Sequence, residues 1–547
     1  MLGLVLWATQ VWAATYYVDP TCNSSGDGTT TTCGPHGPFK TWAKVKWAAG
    51  NTYSQKGGTT AYEQITVGAS GTSGNVITIN SYGSGNANLN GGVTIPAGSW
   101  KANDPVTGVY SQNLHSTILE NGVYLKNSSN SSCSDGNYYW VWYEGKEYYK
   151  PTSGTPADHV VENVRRIGVE LGMNNYITIT GFNFTKYRYG ITGSALKSGK
   201  TNNHIIITNN TFSDVQFGVW INFNNATSQG ITVSHNTFDY VMSSIELQGQ
   251  GDCNSQGIHS YVEISHNTIA HCSKIRGVNA AYNWDDVDTA GWDKEGIGFQ
   301  NLSNSNIHHN TITGFCRGIV LFTCANGNSY NNNFYKNYIN TDWEMITFAP
   351  RTNSPAANSF YNNNAYYNVM IGGRLGYAAG MFLGNLPNST AIYNKIYNNT
   401  IIPSANGIWF PPYTDYYDIK NNIIYGGSNY TLAHLDALAP SHMIYDYNLY
   451  LGKHVWSGPY IAKSSKSWAQ WKALGTNYDA HSPAPADPLF TNAARGVYTL
   501  TTLSPAKWAG VNVGLKTDYV GKPVHDPPSI GAYEYVTITA PTKLQVQ

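Results

Sequence analysis

Short segments in which apolar and polar residues alternate recur along most of this chain. Examples are "GITVSHNTF" and "YVEISHNTI", each of which contains an asparagine and is followed by a second apolar run such as "SIELQ" or "GIGFQ". Alternation with a period of two is typical of strands that bury one face. Because glycine and asparagine stand at almost every corner, the pattern predicts many short strands rather than helices.

The asparagine of these segments marks an internal repeat. Consecutive copies are separated by 23 to 43 residues, and the ten positions are Asn183, Asn210, Asn236, Asn267, Asn310, Asn337, Asn368, Asn399, Asn422 and Asn448. One such unit cannot bury its apolar face, whereas stacked units share a continuous core. The repeat therefore predicts a parallel β-solenoid in which each asparagine side chain pairs with those above and below it.

The two ends of the repeat resemble a known superfamily. The opening "YYVDP", "GDGTT" and "GPFKTWAKV" and the closing "DPLF", "SPAKWAGVNVG" and "IGAYEY" are similar to the flanks of pectate-lyase-like proteins. The resemblance implies an all-β chain whose residues 15–536 form one domain, a right-handed parallel β-helix of about ten or more coils with an N-terminal cap near residues 41–49. The superfamily contains lyases, hydrolases, epimerases, esterases and non-catalytic adhesins, so the resemblance does not fix a reaction.

The chain begins with an apolar segment, "MLGLVLWATQVWAA", that is too short to span a bilayer. These first 14 residues end in small side chains, as export signals do, and predict a secreted, extracellular protein. Cysteines pair in that environment, so Cys22 and Cys33 are expected to close a small loop, and Cys253, Cys272, Cys316 and Cys324 are further candidates. Residues 537–547 are expected to form an exposed tail.

Composition narrows the classes of partner. Only 12% of residues are charged, with 32 basic and 32 acidic side chains in balance, while tyrosine and tryptophan number 41 and 16. The absence of a basic excess argues against nucleic acid and against an anionic membrane surface. Abundant aromatic rings and amides suit a polysaccharide, because rings stack on sugar C–H faces and amides bind hydroxyl groups.

The second strand of each unit predicts which side chains point outward. The second and fourth residues of "SIEL", "GIGF" and "GIVL" are apolar and should point inward, so the third should point outward. This outer column consists of Thr192, Trp220, Glu246, Gly298, Val320, Thr347, Phe382 and Trp409. A second outer column precedes these strands and includes Glu295, Arg317 and Glu344, which alternate in charge.

One interval of the repeat is longer than the others. It separates Asn267 from Asn310 by 43 residues, and the excess falls in residues 270–293, an acid-rich stretch that is predicted to overhang the face bearing Glu246 and Glu295. Long insertions on a regular solenoid commonly build binding sites. The candidate catalytic acids are Glu246, Asp293, Glu295 and Glu344, and the candidate sugar-binding residues are Trp220, Gln248, Trp284, Trp292, Gln300 and Trp409.

Several kinds of chemistry fit these residues. Paired carboxyl groups predict a glycoside hydrolase, which requires no cofactor. Lys274, Arg276 and Arg317 could instead serve a calcium-assisted polysaccharide lyase, with Asp285, Asp286 and Asp288 as calcium ligands. The acids could equally be solvated and paired with the neighbouring cations. A non-catalytic carbohydrate-binding protein or self-assembling surface fibre is the alternative to an enzyme, so the expected state is a monomer or a fibre.

Overall fold

A computed structural model of the chain describes most of its length. The described residues are 13–104, 107–112, 118–127, 137–141, 146–193, 201–249, 257–272, 295–314, 317–323, 327–350, 359–374, 379–384, 392–411, 414–434, 442–452 and 466–536. They divide into two compact units. The first takes in the described parts of Met1–Asn224 and Ser228–Met242, and the second those of Asn225–Thr227, Ser243–Lys274 and Gly291–Gln547.

In the second unit each coil contributes three short strands, which stack into three parallel columns. Column A consists of Glu263–Ser265, Asn306–His308, Asn328–Tyr335, Ser359–Tyr366, Asn394–Tyr397, Tyr417–Lys420 and Ile444–Asp446. Column B consists of Thr268–Cys272, Thr311–Gly314, Tyr338–Thr341, Val369–Gly372, Thr400–Pro403, Ile423–Tyr425 and Leu449–Leu451. Column C consists of the end of Thr237–Gly249, then Glu295–Gln300, Arg317–Thr323, Ile346–Pro350, Ala379–Leu383, Asn406–Phe410 and Tyr430–His434. Two further short strands, Ile258–Ser260 and Leu302–Ser303, pair beside column A.

The first unit is built in the same way. Its column A contains Thr15–Val18, Thr52–Lys56, Ile77–Tyr82, Ile177–Thr180, Ile205–Thr208 and Thr232–Ser234. Its columns B and C contain Thr60–Ala61, Ile65–Thr66, Ala87–Asn90, Val161–Gly172, Phe182–Thr185, Tyr187–Gly193 and Thr211–Phe223. Thr227–Gln229 and Thr237–Gly249 span the division between the units. The prediction of an all-β parallel solenoid is confirmed.

A mostly antiparallel insertion, with one parallel pair between Lys126–Asn127 and Asn137–Val141, interrupts the coils of the first unit. Strand Ile77–Tyr82 pairs directly with Ile177–Thr180, although a long stretch of chain separates them. That stretch holds the strands Gly92–Thr94, Lys101–Ala102, Tyr110–Gln112, Ile118–Glu120, Val123–Tyr124, Lys126–Asn127, Asn137–Val141 and Lys146–Lys150, with 3-10 turns at Ala97–Ser99 and Pro156–Asp158. Its own small core joins Trp100, Ile118 and Tyr149. The asparagine period did not predict this insertion.

Each coil turns between columns A and B at the repeated asparagine. In the described coils the residue before it adopts a left-handed conformation, as at His235, His266 and His309, with φ of 56°, 57° and 53°. These histidines therefore have a structural role in the turn. The turn also corrects the sequence analysis, which placed one strand where two are found, one on either side of the asparagine.

The asparagines form the predicted ladder. In the pair Asn310 and Asn337, the Oδ1 of Asn337 accepts hydrogen bonds from the backbone N–H and the Nδ2 of Asn310, at 3.1 and 3.0 Å. The same pattern links Asn267 through Asn448, and in the first unit it links Asn210 to Asn236. Asn183 does not belong to this ladder, because Phe182 occupies the corresponding place and donates its N–H to Asn210.

The turn between columns B and C requires glycine in several coils. A Cβ on Gly296 would lie 2.7 Å from the Ile312 side chain, and one on Gly407 would lie 2.7 Å from that of Ile424. The backbone at this corner therefore approaches the apolar interior too closely for a side chain. This explains the glycine that begins "GIGF" and "GIWF".

Both ends of the chain pack on the coils. The N-terminal segment contains the predicted Cys22–Cys33 disulfide and a 3-10 turn, Trp42–Lys44, whose buried Trp42 donates its indole N–H to Gln55 at 2.8 Å. Cys272 is disulfide-bonded as well. The C-terminal segment contains the helix Trp468–Lys472, strands Phe490–Asn492 and Val497–Leu500 and a 3-10 turn at Ala493–Arg495.

The C-terminal segment also covers one face of the second unit. Tyr498 and Ala532 pack with Tyr338, Ile371 and Ile402 on the outside of column B. In the described part of the chain, no helix has both the length and the apolar character needed to cross a membrane.

Candidate active site

The predicted outer column is confirmed by the strand register of the second unit. Glu246 stands opposite Gly298, Gly298 opposite Val320, and Val320 opposite Thr347. Thr347 is followed by Phe382 and then by Trp409. In the first unit Thr192 stands opposite Trp220, again as predicted.

Two buried carboxyl groups meet where this column lacks a side chain. Glu246 is 1% exposed and Glu295 is 2% exposed. An Oε2 atom of each lies within 3.0 Å of the position that a Cβ of Gly298 would occupy. Because both oxygens lie within 3.0 Å of this one point, they are less than twice 3.0 Å apart. Gly298 has no side chain, and this leaves the space in which they meet.

Ser243 connects the two carboxyl residues. Its fully buried hydroxyl donates to Oε1 of Glu246. The Oγ of Ser243 accepts the backbone N–H of Glu295 at 3.3 Å. Ser243 occupies the corner that carries Glu295 in the next coil, and sequence reasoning did not select it. Its small size among the larger side chains of the second outer column is the sequence feature that could have indicated Ser243.

The two glutamines chosen from the sequence lie at the end of the Glu246 strand. Gln248 donates from Nε2 to Oε2 of Glu246 at 2.6 Å. Gln300 accepts the backbone N–H of Gly249 on its Oε1 at 2.9 Å. Gln248 therefore contacts the carboxyl pair itself, while Gln300 holds the strand end that carries Gln248.

The charged ladder beside the pair is also present. Arg317 stands opposite Glu295 in the register and is buried. Its Nε donates to Oε2 of Glu344 at 3.2 Å. Arg317 is thus the register neighbour of Glu295 and the ion-pair partner of Glu344, as the alternation of charge predicted.

The two outward tryptophans that the structure describes are half-buried. In the first unit, Trp220 packs edge-on against Tyr189 and Phe217, with ring centroids 5.7 and 4.6 Å apart. In the second unit, Trp409 lies beside Phe382, at 6.5 Å between centroids. Neighbouring side chains therefore cover part of both rings, and their role as sugar platforms stays a prediction.

The predicted overhang lies largely outside the described residues. Residues 270–272 belong to strand Thr268–Cys272, so any overhang begins later than predicted. The candidates from this stretch, Lys274, Arg276, Trp284, Asp285, Asp286, Asp288, Trp292 and Asp293, all fall outside the described ranges, and their roles stay predictions.

A metal centre was tested on the described residues alone. In these ranges the one group of three potential ligand residues that comes together is Asp19, Cys22 and Cys33. Both cysteines are consumed by the disulfide, so their sulfur atoms are not thiolate ligands. This group therefore does not fit a metal ion.

Comparison with known proteins supports the fold. No protein-family model and no curated protein sequence matches the chain. Among solved structures, XylC in complex with xylose matches with a TM-score of 0.58 and 13% identity, over 95% of this chain and 98% of that one. A glycoside hydrolase matches with a TM-score of 0.39 and 10% identity over 82% and 95%, and pectate lyase Pel9A with 0.34 and 15% over 96% and 96%. At these identities the similarity to XylC concerns the fold alone.

Proposed function

We propose that this protein hydrolyses glycosidic bonds of a polysaccharide, with Glu246 and Glu295 as the paired carboxyl groups. The observation that carries the proposal is their convergence over Gly298, at a buried position on the outer column. Two carboxylates held this close in a poorly solvated site repel each other, so one of them is expected to keep its proton. A proton donor beside a carboxylate is what glycoside hydrolysis requires.

The separation of the pair favours retention of configuration. Inverting enzymes hold their two carboxyl groups about 6.5–9.5 Å apart to admit a water molecule, whereas retaining enzymes hold them about 5–5.5 Å apart. The oxygens of Glu246 and Glu295 that meet over Gly298 lie closer than the inverting range. We therefore expect a covalent glycosyl–enzyme intermediate and a product with the configuration of the substrate.

The activity is tested by incubation with plant and algal polysaccharides, followed in parallel by reducing ends and by the absorbance of unsaturated uronates. Xylan belongs in the panel because XylC was solved with xylose. New reducing ends without unsaturated products are expected. Unsaturated products would instead indicate a lyase that uses Lys274, Arg276 or Arg317. Binding without cleavage would favour the non-catalytic alternative.

Substitution of the pair then tests the assignment. Glu295→Gln and Glu246→Gln keep the side-chain shape and remove the titrating group, so each should lower the rate at least about 10²-fold. The matched control is Glu162→Gln, which removes a carboxylate bound to Lys186 in the first unit and should retain activity. Full activity in both pair variants, on a substrate that the parent cleaves, would refute the assignment.

A further inference from the structure

The carboxyl group of Glu246 has two side-chain donors on its own strand. Both of its oxygens accept hydrogen bonds from side chains of its own strand, Oε1 from Ser243 and Oε2 from Gln248. An ionised carboxylate can only accept hydrogen bonds, and donors directed at both oxygens favour that ionised form. The amide of Gln248 is accordingly oriented with its nitrogen toward Glu246.

Ser243 also fixes the distance between the two residues. A hydroxyl has one proton and two lone pairs. Its shorter contact as a donor is to Glu246, since the backbone carbonyl of Glu295 lies 3.2 Å away, and its oxygen accepts from the backbone N–H of Glu295 at 3.3 Å. One buried hydroxyl thus joins the side chain of Glu246 to the main chain that carries Glu295.

Gln248 is held from behind by two contacts. The fully buried imidazole of His259 lies next to the backbone of Gln248, and burial lowers the pKa of His259 to about 3, so the ring is neutral at ordinary pH. Gln300 holds the next residue, Gly249, through its backbone N–H. The strand end that carries the Gln248 amide is therefore held on its far side from Glu246 by the Gly249–Gln300 hydrogen bond.

We propose that Ser243 and Gln248 position Glu246 as the nucleophile of the pair, which leaves Glu295 as the acid and then the base. This inference rests on the proposed function. In the first step an Oε atom of Glu246 bonds to the anomeric carbon, the glycosidic C–O bond breaks with its electrons on the departing oxygen, and that oxygen takes the proton of Glu295. In the second step water adds its oxygen to the same carbon, gives a proton to Glu295, and releases Glu246 as a carboxylate.

The roles can be separated by the leaving group. The probes are an oligosaccharide identified with the polysaccharide panel and an aryl glycoside of the same sugar with an acidic phenol. Such a phenol departs without a proton, so formation of the glycosyl–enzyme by Glu295→Gln should fall at least about 10²-fold on the oligosaccharide and less than about tenfold on the aryl glycoside. Glu246→Gln should lose at least about 10²-fold on both probes, because it lacks the nucleophile.

The outcomes distinguish the two proposals. The opposite pattern, with Glu246→Gln rescued by the aryl glycoside, would overturn the role assignment and leave paired-carboxylate hydrolysis intact. Unimpaired activity of both variants on the oligosaccharide would refute the proposed function itself.

The positioning residues are tested with the same probes. Ser243→Ala and Gln248→Leu should each lower kcat about tenfold or more on both probes with little change in KM, because they act on the nucleophile. Ser243→Thr keeps the hydroxyl and should recover most of the lost rate. Ser303→Ala removes another buried hydroxyl of this unit, bonded to Ser260 at 2.7 Å, and is the matched control.

Two results would contradict a positioning role. Unchanged kcat in both Ser243→Ala and Gln248→Leu would do so directly. A loss confined to the oligosaccharide would place their action on the acid instead of the nucleophile. If Ser243→Ala does not fold, Gln248→Leu decides the question, because Gln248 is only half-buried and lies at a strand end.

Discussion

The asparagine ladder and the outer column of the second unit follow the same coils, but the residue type is constant along the ladder and varies along the outer column. From Asn267 to Asn448 every rung is asparagine. Along the outer column the residues at successive coils are Glu246, Gly298, Val320, Thr347, Phe382 and Trp409.

The difference arises from what each side chain must satisfy. A ladder asparagine accepts two donors of the preceding coil and donates to a backbone carbonyl, all in the buried interior, and buried polar groups without partners are costly. The outer column carries no such obligation. The coils therefore remain constant at the ladder, while the outer column is free to acquire a carboxyl pair.

The largest expected effect is on the ladder itself. Asn337→Ala removes the acceptor of two Asn310 donors and the side-chain donor to Ile307 and Asn368, so four buried groups lose a partner. We expect a loss of about 3–5 kcal/mol in the free energy of unfolding. Urea unfolding followed by circular dichroism measures this change.

The control for this substitution is Asn333→Ala. Asn333 belongs to a half-buried outer row and bonds Asn306 and Asn364 at 3.2 Å. Water can replace those contacts, so the loss should remain below about 1 kcal/mol. Equal losses in Asn333→Ala and Asn337→Ala would break the contrast between the buried ladder and the outer rows.

The end of the ladder is expected to make stability depend on pH. Asn448 donates its backbone N–H to Ser482 and its Nδ2 to the buried Asp479, at 2.8 and 3.3 Å. Burial raises the pKa of Asp479 from its ordinary 3.8 to about 6, against the hydrogen bonds that it accepts. The folded chain therefore binds this proton more tightly than the unfolded chain does.

The sign of the effect follows from that difference. The stabilisation is complete below about pH 4 and is lost as pH rises through about 6, up to about 3 kcal/mol in all. Unfolding of the parent and of Asp479→Asn, compared from pH 4 to pH 8, isolates this group from the others. The free energy of unfolding of the parent minus that of Asp479→Asn should fall as pH rises. A value that stays constant or increases with pH would contradict the prediction.

The smallest expected free-energy change concerns Gly298 in the outer column and is a change in the activation barrier. Gly298→Ala would place a Cβ against both Glu246 and Glu295, and the carboxyl groups would have to move apart. Displacement of about 1 Å in reacting groups can lower a rate about 10²-fold, which corresponds to about 2.7 kcal/mol in the activation barrier. The rate on the substrate that the parent cleaves is the measurement.

Gly98→Ala provides the matched control for this substitution. Gly98 lies in the 3-10 turn Ala97–Ser99, and a Cβ there would meet no atom within 4 Å. Its rate and melting temperature should equal those of the parent. Parental activity in Gly298→Ala would remove Gly298 from the site.

The coils were predictable from sequence because the same requirement recurs in each of them. The insertion after Ala87–Asn90 was not, since its antiparallel strands carry no asparagine period. The assignment of Asn183 was off by one residue for a related reason. Gly181, with φ of 79°, takes the left-handed position there, and Phe182 stands where asparagine stands in later coils.

The candidate site was predictable in part. Alternation placed Glu246 outward, and the corner position placed Glu295 beside it. The meeting of the pair depends on two further residues. Gly298 contributes by having no side chain, and Ser243 contributes a single hydroxyl group. A pattern of apolar and polar residues cannot signal either feature, because it records what each residue is and not what its neighbours in the next coil require.

The ladder has a direction that bears on how the chain is made. In each rung the donors lie on the earlier coil and the acceptor on the later one, as from Asn310 to Asn337 and from Asn337 to Asn368. During synthesis from the amino end, the newest coil therefore lacks its acceptor until the next coil emerges and docks. Ser482 ends this series by accepting from Asn448, so the last ladder asparagine finds its acceptor only after residue 482 has been synthesised.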